Sequence, residues 1–330
     1  MKITDLAILF TAVFFPFFLL LSMHTGNVVD TAFVEMKYSA GLRTAIQDGG
    51  EMLNVNESQS QEAGYESFKR FRADKERALE TFSRTMYLNF GIEEDLPAQA
   101  ALWWYIPALA VVDYDGYYIY AMQSFTGPDG VESFRHTWSP KTPYAYYDGE
   151  GNSIHFTLDN EVQAYNGSSR IWYSGLQSEL VGNTGIALLD KQVTFEEIRR
   201  ISIVHAIQDD LAYYIERHNN LSVRNGISYT FSLPVIAQEE WVNTINDIGL
   251  MAFVQGIPIG DRYYNNYAFG GGRLVKTPLY FGSVDSSTGL KYYYRNTCSF
   301  PYDVQEAFSN RKEAAAAGYR EKNCANSGVM

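Results

Sequence analysis

The sequence predicts an α+β protein: a long N-terminal hydrophobic helix, transmembrane or stem, followed by a mixed domain of mainly antiparallel sheet with packed helices. Three observations lead there. An uncharged run extends from Leu6 to Met23. A 3–4 apolar spacing continues beyond it to residue 53. From residue 101 the period shortens, and Tyr-rich segments alternate around Asp-Gly turns.

The run LAILFTAVFFPFFLLLSM has 18 residues, which as a helix reaches roughly 27 Å, the thickness of a hydrocarbon core. Lys2 and the amino terminus precede it, and acids follow it, which points the N-terminus inward. Its end, Leu20-Leu21-Ser22-Met23-His24, is a poor cleavage site, so it reads as a retained anchor rather than a removed signal. Leu6, Phe10, Val13, Phe14, Pro16, Phe17 and Leu20 are its packing positions, with Pro16 set to kink it. Asp5 and Lys2 at its edge could pair with each other or across subunits. The expected division is a cytoplasmic tip at 1–5, a membrane segment at 6–23, a helical stem at 24–53, and one extracytoplasmic domain at 54–330.

In the stem, Val29, Ala32, Met36, Ala40 and Ile46 keep helical spacing, and small residues such as Ala32, Ala40, Gly41 and Ala45 suit close helix approach. Gly49-Gly50 should weaken its end. A polar connection at 54–62 leads to a second helix at about 63–90 with a stripe through Phe68, Phe71, Leu79, Phe82, Met86 and Phe90. Residues 101–165 read as an antiparallel meander with one solvent-facing side, its hairpins turning at Tyr114-Asp115-Gly116 and at Asp148 to Asn152. A helix over 195–217 starts from a capping box, Thr194 with Glu197. Strands at GISYTFSLPVI, LMAFVQGIPI and YYNNYAF follow, with a short helix in AQEEWVNTI, a last hairpin in PLYFGSVDSSTGLKYYYR and a helix-prone tail at 303–322. With no Pro/Ser-rich linker, one mixed domain is the simpler reading of 54–330.

Composition narrows the function. A net charge of −12 argues against nucleic acid and against anionic membrane surfaces as partners of the soluble part. Aromatics at 15%, with 25 tyrosines, favour strands. Cys298 and Cys324 could close a short disulfide loop if the bulk of the chain is exported; the alternative is two unrelated thiols. Catalytic motifs are not found. His205 and Asp209 lie one helical turn apart without further ligands at metal spacing. Asp113-Tyr-Asp115-Gly116 and the Asp148 loop are fragments of calcium loops better explained by turn chemistry. Phe269-Gly-Gly-Gly-Arg273 is no nucleotide loop; it suits a turn or a close backbone approach. Trp103-Trp104 could stack on sugar rings, though paired aromatics are more often core. No catalytic residue, metal ligand or cofactor is assigned.

With the stem, the Phe-striped helix and the Tyr-rich sheet in place, the plan resembles bacterial pilin-like, tight-adherence pseudopilin proteins, and a mostly uncharacterised Gram-positive family. The segments that carry the likeness are MKITDLAILFTAVFFPFFLLL, YSAGLRTAIQDGG and ISYTFSLPVIAQEEWVNTINDIGLMAFVQGIPIG, with the C-terminal Cys pair. The resemblance implies a non-enzymatic subunit of a surface or envelope assembly, with its N-terminal helix in the bilayer or a filament core. Its partners would be the lipid bilayer, further copies, or other pilus and secretion components. No Gly precedes Leu6 and the nearest acid is Asp5, so the likeness does not extend to prepilin processing. The competing expectations are a membrane-anchored binding or sensor ectodomain and, less favoured, a tethered hydrolase.

Overall fold

The computed structural model describes residues 29–53, 73–271, 280–285, 288–295, 302–308 and 311–322. The chain divides into two compact units, one ending at Leu274 and one beginning at Val275.

The first unit is α+β, as expected, and is built around a large antiparallel sheet. Helix α1 spans 29–52. It is followed by α2 (Lys75–Phe90), α3 (Leu96–Trp103), β1 (Leu109–Asp113), β2 (Gly116–Thr126), β3 (Glu132–Trp138), β4 (Thr142–Tyr147), β5 (Ser153–Phe156), β6 (Glu161–Asn166) and β7 (Ile171–Leu176). The short α4 (Gln177–Leu180), the long α5 (Gln192–Arg224), α6 (Gln238–Thr244), β8 (Gly249–Ile259) and β9 (Arg262–Gly271) complete it. The strand order is β7-β6-β5-β4-β2-β1-β8-β9, with β3 paired to the far half of β2.

Local chemistry explains several boundaries. Asp74 accepts from the Arg77 amide at 3.0 Å and Asp95 from the Ala98 amide at 2.9 Å, so a carboxylate caps each of α2 and α3. The β1–β2 hairpin turns on Tyr114-Asp115, with Asp113 opposite Gly116. In the Asp148 loop, the carboxylate accepts from the Glu150 and Asn152 amides at 2.9 and 2.8 Å, a turn and no metal loop.

The centre of the sheet is buried on both sides, where a solvent-facing side was expected. Every residue of β1 is buried. Val111, Tyr118 and Leu250 share a register row, and on that face Lys75 of α2 lies over the Tyr118 ring and Leu250 meets α1 at Gly49. On the other face Tyr117 Oη donates to the Ala206 carbonyl and to Asp210 Oδ2, both at 2.8 Å, which docks α5. The result is three layers: α1 and α2, the sheet, then α5.

The membrane-spanning element of the predicted fold needs correction. Helix α1 carries Asp30, Glu35, Lys37, Arg43, Asp48 and Glu51, a charge in almost every turn, and no described helix is long and apolar enough to cross a membrane. The run Leu6–Met23, with Lys2 and Asp5, lies outside the described residues, as do the expected connection at 54–62, residues 63–72 of the expected second helix with Phe68 and Phe71, Cys298 and Cys324.

Other boundaries also differ. Helix α5 begins at Gln192, and neither Thr194 nor Glu197 caps it. Phe195 must reach the core beside Phe156, so the helix starts a turn earlier, with the Phe195 amide on the Lys191 carbonyl at 2.9 Å. Residues 227–237 form no regular secondary structure and join no ladder. Instead Asn219 pairs with both backbone groups of Phe231, at 2.9 and 2.7 Å, and Gln255 with both of Ser232, at 2.7 and 3.0 Å. Two side-chain amides thus replace a neighbouring strand.

The second unit is a four-stranded sheet in the order β12-β10-β11-β13, formed by β10 (Tyr280–Val284), β11 (Lys291–Arg295), β12 (Val304–Phe308) and β13 (Arg320–Glu321), with α7 (Arg311–Ala316) between the last two. Its core is Tyr280, Tyr293, Ala314 and Tyr319, with Phe308 against it. The helix expected over 303–322 is therefore short: residues 304–308 pair with β10 instead, because that edge offers ladder bonds and an aromatic face.

Candidate functional site

The most distinctive surface among the described residues is on α1, whose two halves have different environments. In the C-terminal half, Leu42, Ala45, Ile46, Gly49 and Gly50 are buried. Small residues at 41, 45 and 49 form a seam against α2, which runs back along it. A Cβ added to Gly41 would lie 2.9 Å from the Asn89 Cβ, and one added to Gly49 only 2.7 Å from Leu250 and 3.0 Å from the Ala78 carbonyl. On the sheet side, a Cβ on Gly270 would sit 2.5 Å from the Ile46 carbonyl. The glycines of the Phe269–Arg273 stretch thus include one that lets a helix backbone touch a strand backbone. Thr85 Oγ1 donates to Asp48 Oδ2 at 2.8 Å across the seam.

The middle of the helix is pinned by aromatic and polar contacts. Tyr38 stacks on Phe90 with centroids 4.4 Å apart and meets Tyr264 edge-on. Ser39 Oγ, Tyr264 Oη and Asn266 Nδ2 form a closed triangle with sides of 3.0 to 3.2 Å. Burial raises the Tyr264 pKa, outweighing the hydrogen bonds from Ser39 and Asn266, so this hydroxyl stays protonated.

The N-terminal half keeps the helix but loses the cover. Val34 still leans on the core. The opposite face is open: Val29, Phe33 and Met36 are 61, 62 and 63% exposed, and Ala32 among them and Ala40 a turn beyond are exposed as well. Their spacing puts all five on one stripe. Asp30, Glu35 and Lys37 flank it, and Arg43 and Gln47 take over the same row below Ala40. The stripe is apolar, rigidly supported and about three turns long, which is what a helix presents to another helix.

Of the remaining sequence candidates, Ala32, Met36 and Ala40 fall on this stripe. Trp103 and Trp104 end α3 instead of entering a strand. Trp103 Nε1 donates to Tyr87 Oη at 2.8 Å, and its ring meets Phe82, Tyr120 and His136. The Trp104 carbonyl takes the His218 Nε2–H at 2.9 Å. Both side chains are half-buried and turned toward the fold. His205 is exposed on α5, and among the described residues no group of three or more His, Cys, Asp or Glu could hold a metal.

Two features were not anticipated from sequence. Phe33, the largest side chain on the stripe, sits between positions that were flagged. Edge strand β7 exposes Ile171 and Trp172, and IWYSGL carries no apolar–polar alternation that marks it as a strand. No family model matches the chain, nor does any curated protein or solved structure.

Proposed function

We propose that this protein is a non-enzymatic, pilin-like subunit of a bacterial surface or envelope assembly, joined to further copies through the N-terminal half of α1. The single observation that carries this reading is the apolar stripe of Val29, Phe33 and Met36 on a helix whose other half is sunk in the fold. A monomer gains nothing by exposing such a stripe, and covering each large side chain contributes about 1–2 kcal/mol. The occupant is the same region of another copy. The sequence just before α1, from Leu6 to Met23, supplies more side chains of the same kind with no charge among them. On this reading the sheet-bearing part lies outside the cytoplasm.

The test is cross-linking of the full chain in cells through single cysteines at Phe33 and Met36, after Cys298 and Cys324 are replaced. Ladders of higher mass from Phe33→Cys, with none from a cysteine at the exposed Arg43, support it. A chain that stays monomeric with every probe on the stripe refutes it.

A second reading, a binding ectodomain, draws on β7. Ile171 and Trp172 are half or more exposed on a strand that ends the sheet, which is the setting for strand addition by an extended peptide. Peptide-array binding that disappears in Trp172→Ala would favour it.

A further inference from the structure

Away from α1, the turn of the β1–β2 hairpin holds an unusual set of groups. Asp113, at the end of β1, is fully buried. Its Oδ2 lies 3.0 Å from Lys141 Nζ and makes no other polar contact among the described residues. Its Oδ1 accepts from two backbone amides, Tyr114 at 2.8 Å and Ala73 at 3.1 Å. Lys141 Nζ also contacts Asp115 Oδ1. The side chains of Lys141 and Asp115 are each about a quarter exposed, so all three groups sit beneath the surface.

The backbone brings them together and keeps them there. Lys141 precedes β4, whose first residues pair with the start of β2, Tyr117 opposite Thr142 and Gly116 opposite Pro143. Gly116 permits the approach: a Cβ there would lie 2.5 Å from the Thr142 carbonyl. Aromatic rings wall the site. Tyr144 Oη donates to the Asp113 carbonyl at 3.0 Å, and the Tyr118 ring centroid is 5.8 Å from Nζ.

We propose that Lys141 and Asp113 join through an amide bond between Nζ and Cγ, with Asp115 carrying the protons. Asp115 takes a proton from the Lys141 ammonium, and the freed lone pair attacks Cγ of Asp113. Negative charge then develops on Oδ1, where the Tyr114 and Ala73 amides already point, an arrangement that stabilises a tetrahedral intermediate. Asp115 returns the proton to Oδ2, and the second amine proton follows the same route. The C–Oδ2 bond breaks and Oδ2 leaves as water. The ion pair of one ammonium and one carboxylate becomes one amide and one water, Asp115 ends as it began, and no co-reactant is needed. Burial raises the Asp113 pKa, against the pull of Lys141 and the two amides, which eases protonation of Oδ2. Against its own burial, the charges of Asp113 and Asp115 raise the Lys141 pKa, so the attack depends on Asp115 as base. The fixed contact between the two side chains, Nζ against Oδ2, replaces an encounter in solution. This inference is independent of the assembly role.

The test is mass spectrometry of the full chain, reduced and denatured. The expected mass is one water below that of the sequence. A tryptic map should contain a branched peptide joining Asp113 to an uncleaved Lys141. Lys141→Arg keeps the charge and should show the full mass. Asp115→Asn keeps both reacting groups and should form the bond roughly 10²-fold more slowly. Asp113→Asn should reach the wild-type final mass by releasing ammonia, which a merely ionic contact cannot imitate. Cleavage after Lys141 together with a linear Asp113 peptide in the wild-type chain overturns the proposal.

Discussion

The two halves of α1 share one helix and one period, yet they meet opposite environments. From Gly41 onward the helix presents glycine and alanine to α2 and to Gly270, and its backbone approaches theirs closely. Before Tyr38, Val29, Phe33 and Met36 are mostly exposed among the described residues. Small residues therefore mark the contact already made within the subunit, and large apolar residues mark the contact we propose with a further copy. The small-residue seam could be taken for the subunit interface from sequence. The structure uses Gly41, Ala45 and Gly49 internally.

This contrast can be broken from either side. The largest effect is expected from Ile46→Ala, which empties a fully buried position in the lower half and should cost about 3 kcal/mol in denaturant unfolding. A loss below about 1 kcal/mol would mean the lower half is not held as described.

Acidification should act on the layer beneath that half. Burial, helped by the nearby His218, lowers the His136 pKa to about 4. The His136 ring packs on Trp103, which in turn meets Phe82 of α2. Above the ordinary histidine pKa both folded and unfolded states are neutral, so stability is unaffected. As pH falls from about 6.5 toward 4, the unfolded chain takes up the proton first, and about 3 kcal/mol of stability should be lost. His136→Phe should flatten that part of the pH–stability curve, while an unchanged curve would contradict the lowered pKa.

A smaller effect is expected from Asp48→Ala, which removes the bond from Thr85 across the seam: about 1 kcal/mol, read from the same unfolding curves. The smallest effect on stability should come from Phe33→Ser in the upper half, less than about 0.5 kcal/mol, because the side chain is mostly in solvent. The same variant should lose the cross-linked ladders. If Phe33→Ser unfolds the subunit instead, the two halves are not independent and the contrast fails.

How far the sequence revealed this can be argued from particular residues. The alternation around Tyr114-Asp115-Gly116 and Asp148 to Asn152 located four strands, because turn chemistry and period are both local. The run from Gly249 to Gly271 was legible for the same reason. Strand β7 was missed because its residues alternate between half-buried and exposed with no apolar row, so only pairing with β6 defines it. The start of α5 was misplaced because a local cap signal at Thr194 competed with the packing demand of Phe195, and packing won. On α1, spacing identified Val29, Ala32, Met36 and Ala40, but no sequence signal tells whether a stripe is covered by its own chain. Asp113 and Asp115 were visible as turn residues. Lys141 was not, since only the pairing of β4 with β2 brings it to them.

The continuity of α1 has a mechanical consequence. Any tension applied to its upper half is directed along the helix axis into the triangle of Ser39, Tyr264 and Asn266 and then into the seam below. There the helix lies alongside α2 and against β9, so the load is shared across many contacts as shear and does not peel them one at a time. The amide-clamped segment near Phe231 is not on that path, and it should stay unstrained while the sheet and α1 carry the force.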